Sequence, residues 1–288
     1  MEILDCIIIG AGPAGMSAAL YTSRANLSTL LIEKECPGGK MLKTKIIDNY
    51  IGGSNDSFKL ASDMFNQAIK YGAKYKQASV VNIENVENYK KITLNNGDNL
   101  YAYSLVIAVG GKLTNKGFKY DKYLNKGLSY CVVCDAGFYR GKKVAIIGDN
   151  NSIEDVEYLA NIANKVYFIN KEDSFSNREN VENFTNVKDY EIIGDIKVES
   201  IIIKDNAISI DGVFYVLGEN AFGGIASNLE NNNGYIVVDK YMHTSQSGIF
   251  ACGDIIDRNV KQVVTACGDG AIAALEAIKY VNKLKRTN

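Results

Sequence analysis

The strongest constraint on this chain is a glycine-rich turn that follows a short apolar run at the N-terminus. The run covers residues 4–9, and the turn reads Gly10-Ala11-Gly12-Pro13-Ala14-Gly15. Gly10 allows a tight turn, Gly12 lets the backbone approach a diphosphate, and Gly15 lets a helix pack closely on the strand. The pattern predicts the strand, turn and helix of a dinucleotide-binding unit. A purely structural turn is the alternative.

A second apolar run supports the dinucleotide interpretation. It covers residues 29–33 and ends in Glu33, about twenty residues after the glycines, where a carboxylate can hydrogen-bond a ribose hydroxyl. Amphipathic spacing predicts a helix over residues 58–71. A further strand is predicted over residues 105–109, directly before Gly110.

The strand–turn–helix order then begins a second time. A lysine-rich connector at 112–126 precedes a predicted strand at 143–147, a helix at 152–163 and a strand at 165–169. A further apolar strand directly before Gly253 and a long helix at the C-terminus are expected to belong to the first domain. We therefore expect an α/β protein with two doubly wound, Rossmann-like domains of three ββα layers, the second inserted into the first. The expected boundaries are 1–111 and 242–288 for the first domain and 112–241 for the second.

Composition narrows the class of protein. Of 288 residues, 47% are hydrophobic and 23% charged, which is ordinary for a globular chain, and the net charge of −1 favours neither nucleic acid nor membrane as a partner. No apolar stretch reaches the roughly 18 residues of a membrane span. The short N-terminal run is unlike a signal peptide. We therefore expect a cytoplasmic protein, and six cysteines are too few for a secreted disulfide scaffold.

Only two of the cysteines lie close together in the sequence. Cys131 and Cys134 have the spacing of a redox pair or of half a zinc site, and Asp135 follows them. A structural zinc usually needs four ligands, whereas the only histidine, His243, is distant and there is no second such pair. An inert buried pair is a further alternative. We favour a redox-active dithiol and expect no metal. The other cysteines (Cys6, Cys36, Cys252 and Cys267) are expected to be small core residues.

Four segments together resemble the FAD domain of low-molecular-weight thioredoxin reductases. They are the glycine loop, the turn 37–39, the segment 49–53 and the segment 248–254. The resemblance covers nearly the whole chain and implies FAD as cofactor, thioredoxin as electron acceptor and a homodimer. The residues it implies for binding FAD are Gly10, Gly12, Pro13, Ala14, Gly15, Glu33, Gly39, Lys40, Asn49, Gly110, Gly253, Asp254, Gln262 and Val263.

The same resemblance gives roles to the dithiol. It implies that Cys134 faces the flavin, that Cys131 attacks the disulfide of thioredoxin, and that Asp135 transfers a proton. The sequence alone leaves open which cysteine has which role.

The second glycine loop is unlike a nucleotide-binding loop. Low-molecular-weight thioredoxin reductases bind NADPH at this loop. The loop of this chain reads Gly148-Asp149-Asn150-Asn151-Ser152-Ile153. Asn150 puts a side chain where backbone should meet the diphosphate, and Ile153 puts a branched group where helix and strand should touch. Asp149 adds a negative charge beside the expected phosphates. These changes predict that the NADPH site is lost.

The expected 2′-phosphate site has also changed. Where NADPH-using relatives carry arginines, this chain has only one cation, Lys171, which lacks the bidentate fork of arginine. The four residues at these positions are Asn170, Lys171, Glu172 and Ser176. The range 112–241 holds 19 Asp and Glu against 15 Lys and Arg. Such an acidic domain disfavours a phosphorylated dinucleotide.

With these losses the chain closely resembles the ferredoxin-dependent flavin thioredoxin reductases. The resemblance implies that reduced ferredoxin donates the electrons, and the absence of iron–sulfur ligands places the cluster in that partner. Three alternatives stay open. The first is an NADPH-dependent thioredoxin reductase with an unusual pocket, the second a reduced flavin in the vacated pocket, and the third a non-catalytic thiol redox sensor.

Overall fold

The computed structural model describes residues 2–86, 89–113, 119–217, 219–220 and 228–287. The chain divides into two compact units, the first made of Met1–Lys112 and Asn220–Asn288 and the second of Leu113–Glu219. Both units contain parallel sheets with helices, which confirms the predicted α/β class.

The helices and strands follow one another in the order that the glycine loops predict. The described helices are α1 Pro13–Arg24, α2 Ser57–Lys70, α3 Val132–Asp135, α4 Ile153–Ala160 and α5 Val263–Thr287. The first segment of the first unit contains β1 Ile3–Ile9, β2 Thr29–Glu33, β3 Lys74–Gln77, β4 Val80–Val86, β5 Tyr89–Leu94 and β6 Asn99–Ile107. The middle of the chain contains β7 Lys112–Leu113, β8 Leu128–Ser129, β9 Lys143–Gly148, β10 Lys165–Asn170, β11 Val181–Phe184, β12 Tyr190–Ile193, β13 Ser200–Ile203, β14 Asn206–Ser209, β15 Gly212–Tyr215 and β16 Glu219–Asn220. The returning segment contains β17 Asn231–Asn232, β18 Tyr235–Ile236 and β19 Ile249–Ala251. None of the described helices is both long enough and apolar enough to cross a bilayer.

The sheet of the first unit has the strand order β3-β2-β1-β6-β5-β4, with β19 also paired to β6. Strands β3, β2, β1, β6 and β19 are parallel, whereas β5 pairs antiparallel with β6 and β4 pairs antiparallel with β5. Apolar side chains fill β1 and β6 on both faces, as is typical of strands covered by helices. Gly270 lets α5 cross α1 closely, because a Cβ there would lie 2.1 Å from the carbonyl oxygen of Ala14.

The second unit repeats this plan on a smaller scale. Its five-stranded sheet has the order β11-β10-β9-β15-β8, and all four pairings are parallel. Ile146, Phe168 and Phe214 are fully buried between this sheet and α4, which contributes Val156 and Leu159. A three-stranded antiparallel sheet of β12, β13 and β14 completes the unit.

The boundary at which the chain returns from the second unit to the first differs from the expected one. The chain returns to the first unit at Asn220, whereas the sequence analysis placed the return at residue 242. Leu229 and Ile236 explain the difference, because both are buried in the core of the first unit. Part of the expected connector also has a structural role, since Tyr120 and Tyr123 are buried in the core of the second unit. Residues 114–118 of that connector lie outside the described residues.

Candidate active site

The first glycine loop needs its outer glycines for steric reasons. Gly10 has a φ of 101°, and a Cβ there would lie 2.4 Å from the carbonyl oxygen of Ala108. A Cβ on Gly15 would lie 1.8 Å from the carbonyl oxygen of Gly10. Neither position can accept a side chain without moving backbone. These two glycines therefore build the turn and pack α1 against the sheet.

The middle glycine has a different setting. Gly12 lies directly before α1 with extended backbone, and a Cβ there would meet no protein atom within 4 Å. Pro13 is the first residue of α1, and the N-cap residue Gly12 has no side chain that could cap the N-terminal N–H groups of this helix. Free N–H groups and the positive end of the helix dipole bind phosphate. The open space at Gly12 fits the diphosphate of a dinucleotide.

Glu33 lies beside the loop at the end of β2. Its Oε2 accepts a hydrogen bond from the backbone N–H of Ala11 at 2.8 Å, and its Oε1 accepts one from Glu35 at 3.0 Å. A carboxylate has about four acceptor positions, so these two bonds leave acceptor capacity for a ribose hydroxyl. The bonds also fix the side chain against the loop.

The other expected cofactor residues collect at the same edge of the sheet. Gly110 and Gly253 follow the parallel strands β6 and β19, and both have positive φ angles. Gly253 contacts the start of α1, because a Cβ there would lie 2.8 Å from the Cβ of Ala14. Gly39 lies against Gly12, with 3.3 Å between its ideal Cβ and the Cα of Gly12. Ligands of doubly wound sheets bind at this carboxyl edge.

Two side-chain contacts join residues that are far apart in sequence. The ammonium of Lys40 lies 3.0 Å from Oδ2 of Asp254, and Nδ2 of Asn49 donates to Oε1 of Gln262 at 2.9 Å. Val263, the first residue of α5, packs partly buried against the core. The structure thus brings the expected cofactor residues together at one edge of the first unit.

The sequence analysis missed a buried carboxylate near this edge. Asp269 is 2% exposed, and its Oδ1 pairs with the guanidinium of Arg258 at 2.8 Å. Burial raises the pKa of Asp269, and the charge of Arg258 opposes that shift. Its Oδ2 has no hydrogen-bond partner within the described part of the chain. No motif signalled this residue, since its burial depends on how α5 packs.

The dithiol of the second unit is present as a disulfide. Cys131 and Cys134 are bonded to each other across the short helix α3, and their Cα atoms are 5.3 Å apart. Sγ of Cys131 also accepts a hydrogen bond from the backbone N–H of Cys134 at 3.2 Å. Such a donor would stabilise a thiolate at Cys131 after reduction. Cys134 is exposed and Cys131 is half-buried.

Asp135 follows the disulfide in a partly buried position. Its Oδ2 accepts a hydrogen bond from the hydroxyl of Ser129 at 2.6 Å. Burial raises the pKa of Asp135, and the bond from Ser129 opposes that shift. The same hydroxyl accepts the backbone N–H of Cys131 at 3.1 Å. Ser129 therefore links the acid to the disulfide, and no sequence motif predicts this link.

Two carboxylates, one within the second glycine loop and one after β10, bind backbone N–H groups of that loop. Oδ1 of Asp149 accepts the N–H of Asn151 at 2.9 Å and the hydroxyl of Ser152 at 3.2 Å. Oε2 of Glu172 accepts the N–H of Asn150 at 3.0 Å. Two carboxylates thus accept the N–H groups that a nucleotide-binding loop would offer to a diphosphate.

A network of amides continues this closure across the expected 2′-phosphate site. Asn170 is fully buried, and its Nδ2 donates to Oδ1 of Asn150 at 3.2 Å and to the carbonyl oxygen of Ser174 at 2.8 Å. Oδ1 of Asn150 also accepts the N–H of Ser174 at 3.0 Å, and Oδ1 of Asn170 accepts the N–H of Glu172 at 2.9 Å. These bonds hold the loop after β10 against the glycine loop.

The remaining cysteines differ in their surroundings. Cys6 and Cys252 are fully buried, and burial raises the pKa of both thiols, that of Cys6 to about 12. Cys267 is half-buried, and burial raises its pKa too. Cys36 is exposed, contrary to the expectation that it belongs to the core. Among the described residues no cluster of His, Cys, Asp and Glu suits a metal ion.

Comparison with known proteins adds sequence and structural relatives. Residues 4–270 match the family model described as pyridine nucleotide-disulphide oxidoreductase. The thioredoxin reductase of Bacillus subtilis strain 168 is 37% identical to this chain over 310 residues. That match covers 99% of this chain and 97% of the relative.

Two solved structures have the same architecture over the full length. A thioredoxin reductase from Streptococcus pyogenes superposes with a TM-score of 0.90 and 33% identity, covering 98% of this chain and 99% of that one. A ferredoxin-flavin thioredoxin reductase from Clostridium acetobutylicum has a TM-score of 0.59 and 32% identity, covering 99% of both chains.

Proposed function

Since this chain belongs to the pyridine nucleotide-disulphide oxidoreductase family, we propose that it is a thioredoxin reductase that takes its electrons from reduced ferredoxin. It would pass them through FAD and the Cys131–Cys134 disulfide to thioredoxin, without a pyridine nucleotide. The disulfide is the group that such a reaction requires in the protein.

The cofactor of the chain is FAD, as in the thioredoxin reductases of this family. The first glycine loop is suited to FAD, because the open space at Gly12 and the N-terminus of α1 can accept its diphosphate. Glu33 and Asp254 offer carboxylate oxygens at the same sheet edge for ribose and ribityl hydroxyls. The flavin supplies the electron-transfer chemistry, and the chain binds and orients it.

The observation that carries the donor assignment is the closed second loop. The N–H groups of Asn150 and Asn151 are bonded to the carboxylates of Glu172 and Asp149. A dinucleotide diphosphate would have to break these bonds and approach two negative charges, which is electrostatically unfavourable. The donor that fits a flavoprotein without this site is a one-electron protein such as ferredoxin.

The reaction balances with two ferredoxins for each thioredoxin. Two reduced ferredoxins give one electron each, and with two protons these reduce the Cys131–Cys134 disulfide to a dithiol. The thiolate of Cys131 attacks the disulfide of thioredoxin, and Cys134 then closes the ring and releases the dithiol of thioredoxin. Asp135, whose pKa burial raises, is placed to supply the proton to the departing thiolate.

We extend the proposal to the assembly and place of the protein. A homodimer in the cytoplasm agrees with the resemblance to thioredoxin reductases. A reducing compartment is also where a dithiol of this kind can cycle. Neither nucleic acid nor membrane is needed as a partner.

A second candidate is a thioredoxin reductase that still accepts NADPH. The relatives favour it, because the Bacillus subtilis protein is named simply thioredoxin reductase and the Streptococcus pyogenes enzyme has the higher TM-score of the two structures. The closed loop opposes it, since the network around Asn150 would have to open at each turnover.

Steady-state reduction of thioredoxin distinguishes the two candidates. The purified holoenzyme is supplied anaerobically with thioredoxin and either NADPH or enzymatically reduced ferredoxin. We expect turnover with ferredoxin and no rate above background with NADPH. Turnover with NADPH at a rate equal to or above that with ferredoxin would overturn the donor assignment.

A further inference from the structure

Two segments of the first unit that are far apart in sequence are joined by two side-chain contacts. One contact is the ion pair of Lys40 and Asp254 at 3.0 Å, and the other is the hydrogen bond from Asn49 to Gln262 at 2.9 Å. The segment 40–49 follows β2, whereas the segment 254–262 lies between β19 and α5. We call these two contacts together the clasp.

Each segment is also fixed to the start of α1 by separate contacts. The backbone N–H of Gly38 donates to the carbonyl oxygen of Ala11 at 2.8 Å, directly before the turn that carries Lys40. Gly253 packs on Ala14 on the other side. Both segments that the clasp joins are therefore in contact with the first glycine loop, which fits the diphosphate. An FAD molecule bound there has the clasp beside it.

The ion pair is partly shielded from water. The side chain of Lys40 is 33% exposed and that of Asp254 is 19% exposed. Ion pairs in this setting are screened less by salt than pairs on an open surface. The hydrogen bond of Asn49 and Gln262 carries no net charge and serves as an internal comparison.

We propose that Lys40 is a positioning residue that acts on FAD through Asp254. The ammonium holds the Asp254 carboxylate in the orientation that accepts the ribityl hydroxyls, and the clasp slows the release of the cofactor. This inference rests on the proposed binding of FAD but is independent of the electron donor. An enzyme found to use NADPH would leave it untouched.

The test is a double-mutant cycle on the release of FAD from the oxidised holoenzyme. The rise of free-flavin fluorescence after dilution is followed for Lys40→Met, Asp254→Asn and the double variant. We expect each single change to speed release about tenfold and the double change to add little more, since both remove one interaction. If the effects multiply to about a hundredfold, Lys40 contacts FAD independently of Asp254 and the proposal fails.

Control variants separate positioning from general structural damage. Lys45→Met removes an exposed lysine a few residues away and should leave the release rate within about twofold of the parent. Lys40→Arg should restore slow release, because it keeps the positive charge. A release rate for Lys40→Met equal to that of Lys45→Met would overturn the proposal, as would a failure of Lys40→Arg to restore it.

The salt dependence gives a readout that folding alone would not change. Release from the parent should accelerate as ionic strength rises, whereas release from Lys40→Met should respond much less. Asn49→Ala should speed release but keep the salt dependence of the parent, because its contact is uncharged. Equal salt dependence in the parent and in Lys40→Met would show that the ion pair does not control release.

Discussion

At the scale of single residues, Asp135 lies in surroundings that favour its protonated form. Burial raises the pKa of its carboxyl group, so it keeps a proton at a higher pH than an exposed aspartate does. Asp135 directly follows Cys134 of the disulfide in the sequence and accepts a hydrogen bond from Ser129.

The acid role predicts a slow enzyme when Asp135 is replaced by Asn. Thioredoxin reduction should fall about 100-fold, within the range that positioned acids contribute. In the parent the rate should decline as pH rises through the raised pKa, because the acid form is lost, and the Asn variant should lack this decline. Steady-state rates across pH measure both effects. Matching pH profiles in parent and variant would contradict the role.

The raised pKa of Asp135 also predicts a dependence of stability on pH. Because the fold penalises the charged form, its contribution to stability is full below the pKa of an exposed aspartate. That contribution is lost as pH rises through the raised pKa. Asp135→Asn lacks this loss, so its melting temperature should rise relative to the parent between acidic and neutral pH. Calorimetry at several pH values checks the sign, and a constant difference would contradict it.

The dithiol predicts a clear separation among cysteine variants. Cys131→Ser and Cys134→Ser should each reduce thioredoxin turnover to background, since one thiol cannot both attack and close the ring. Both should keep bound FAD, because the residues expected to bind it lie in the first unit. Cys36→Ser is the matched control, since Cys36 is exposed and the proposed reaction does not use it. If either dithiol variant reduced thioredoxin, the electrons would not pass through the Cys131–Cys134 disulfide.

At the scale of elements, the first glycine loop combines two kinds of glycine. Gly15→Ala places a Cβ 1.8 Å from a carbonyl oxygen and should destabilise the apoprotein by about 3 kcal/mol. Gly12→Ala meets no protein atom, so the free energy of unfolding should change by about 1 kcal/mol or less. It should nevertheless weaken FAD binding by about tenfold or more, because the methyl group occupies the space for the diphosphate.

Denaturation of the apoproteins and titration with FAD distinguish these two effects. Equal losses of stability in the two alanine variants would contradict the account, as would unchanged FAD affinity in Gly12→Ala.

The closed second loop depends on Asn170, whose side chain bonds to three residues, Asn150, Glu172 and Ser174. Asn170→Ala should lower the free energy of unfolding by about 3 kcal/mol, because it leaves buried partners unsatisfied. Asn206 lies exposed in β14, and Asn206→Ala should cost less than about 0.5 kcal/mol. Urea unfolding compares the two, and similar midpoints would show that the network contributes little.

Much of each element could be predicted from the sequence, and the reasons for the misses are physical. The strand at residues 29–33 is as predicted, because its apolar run is unbroken. Helix α5 begins at Val263, because local hydrogen bonds close its first turn. The hydroxyl of Thr265 accepts the N–H of Gln262, and the carbonyl oxygen of Gln262 accepts the N–H of Ala266. The bond between Ser129 and Asp135 has no signal in the sequence, because it depends on how β8 meets α3.

At the scale of the whole molecule, the repeated strand–turn–helix order was enough to predict two units with one inserted. The second boundary was placed too late. Strands β17 and β18 are each two residues long, and β17 consists of two asparagines, so no periodic pattern marks them. Their membership of the first unit follows from the burial of Leu229 and Ile236, which only the folded chain reveals.

We propose that the second unit retains the shape of a nucleotide-binding domain but does not accept a pyridine nucleotide. The most direct test is anaerobic stopped-flow mixing of the oxidised holoenzyme with NADPH and, in parallel, with reduced ferredoxin, following the flavin absorbance band. We expect rapid bleaching with ferredoxin and an unchanged spectrum with NADPH at concentrations that saturate ordinary nucleotide sites. Rapid bleaching by NADPH would contradict it.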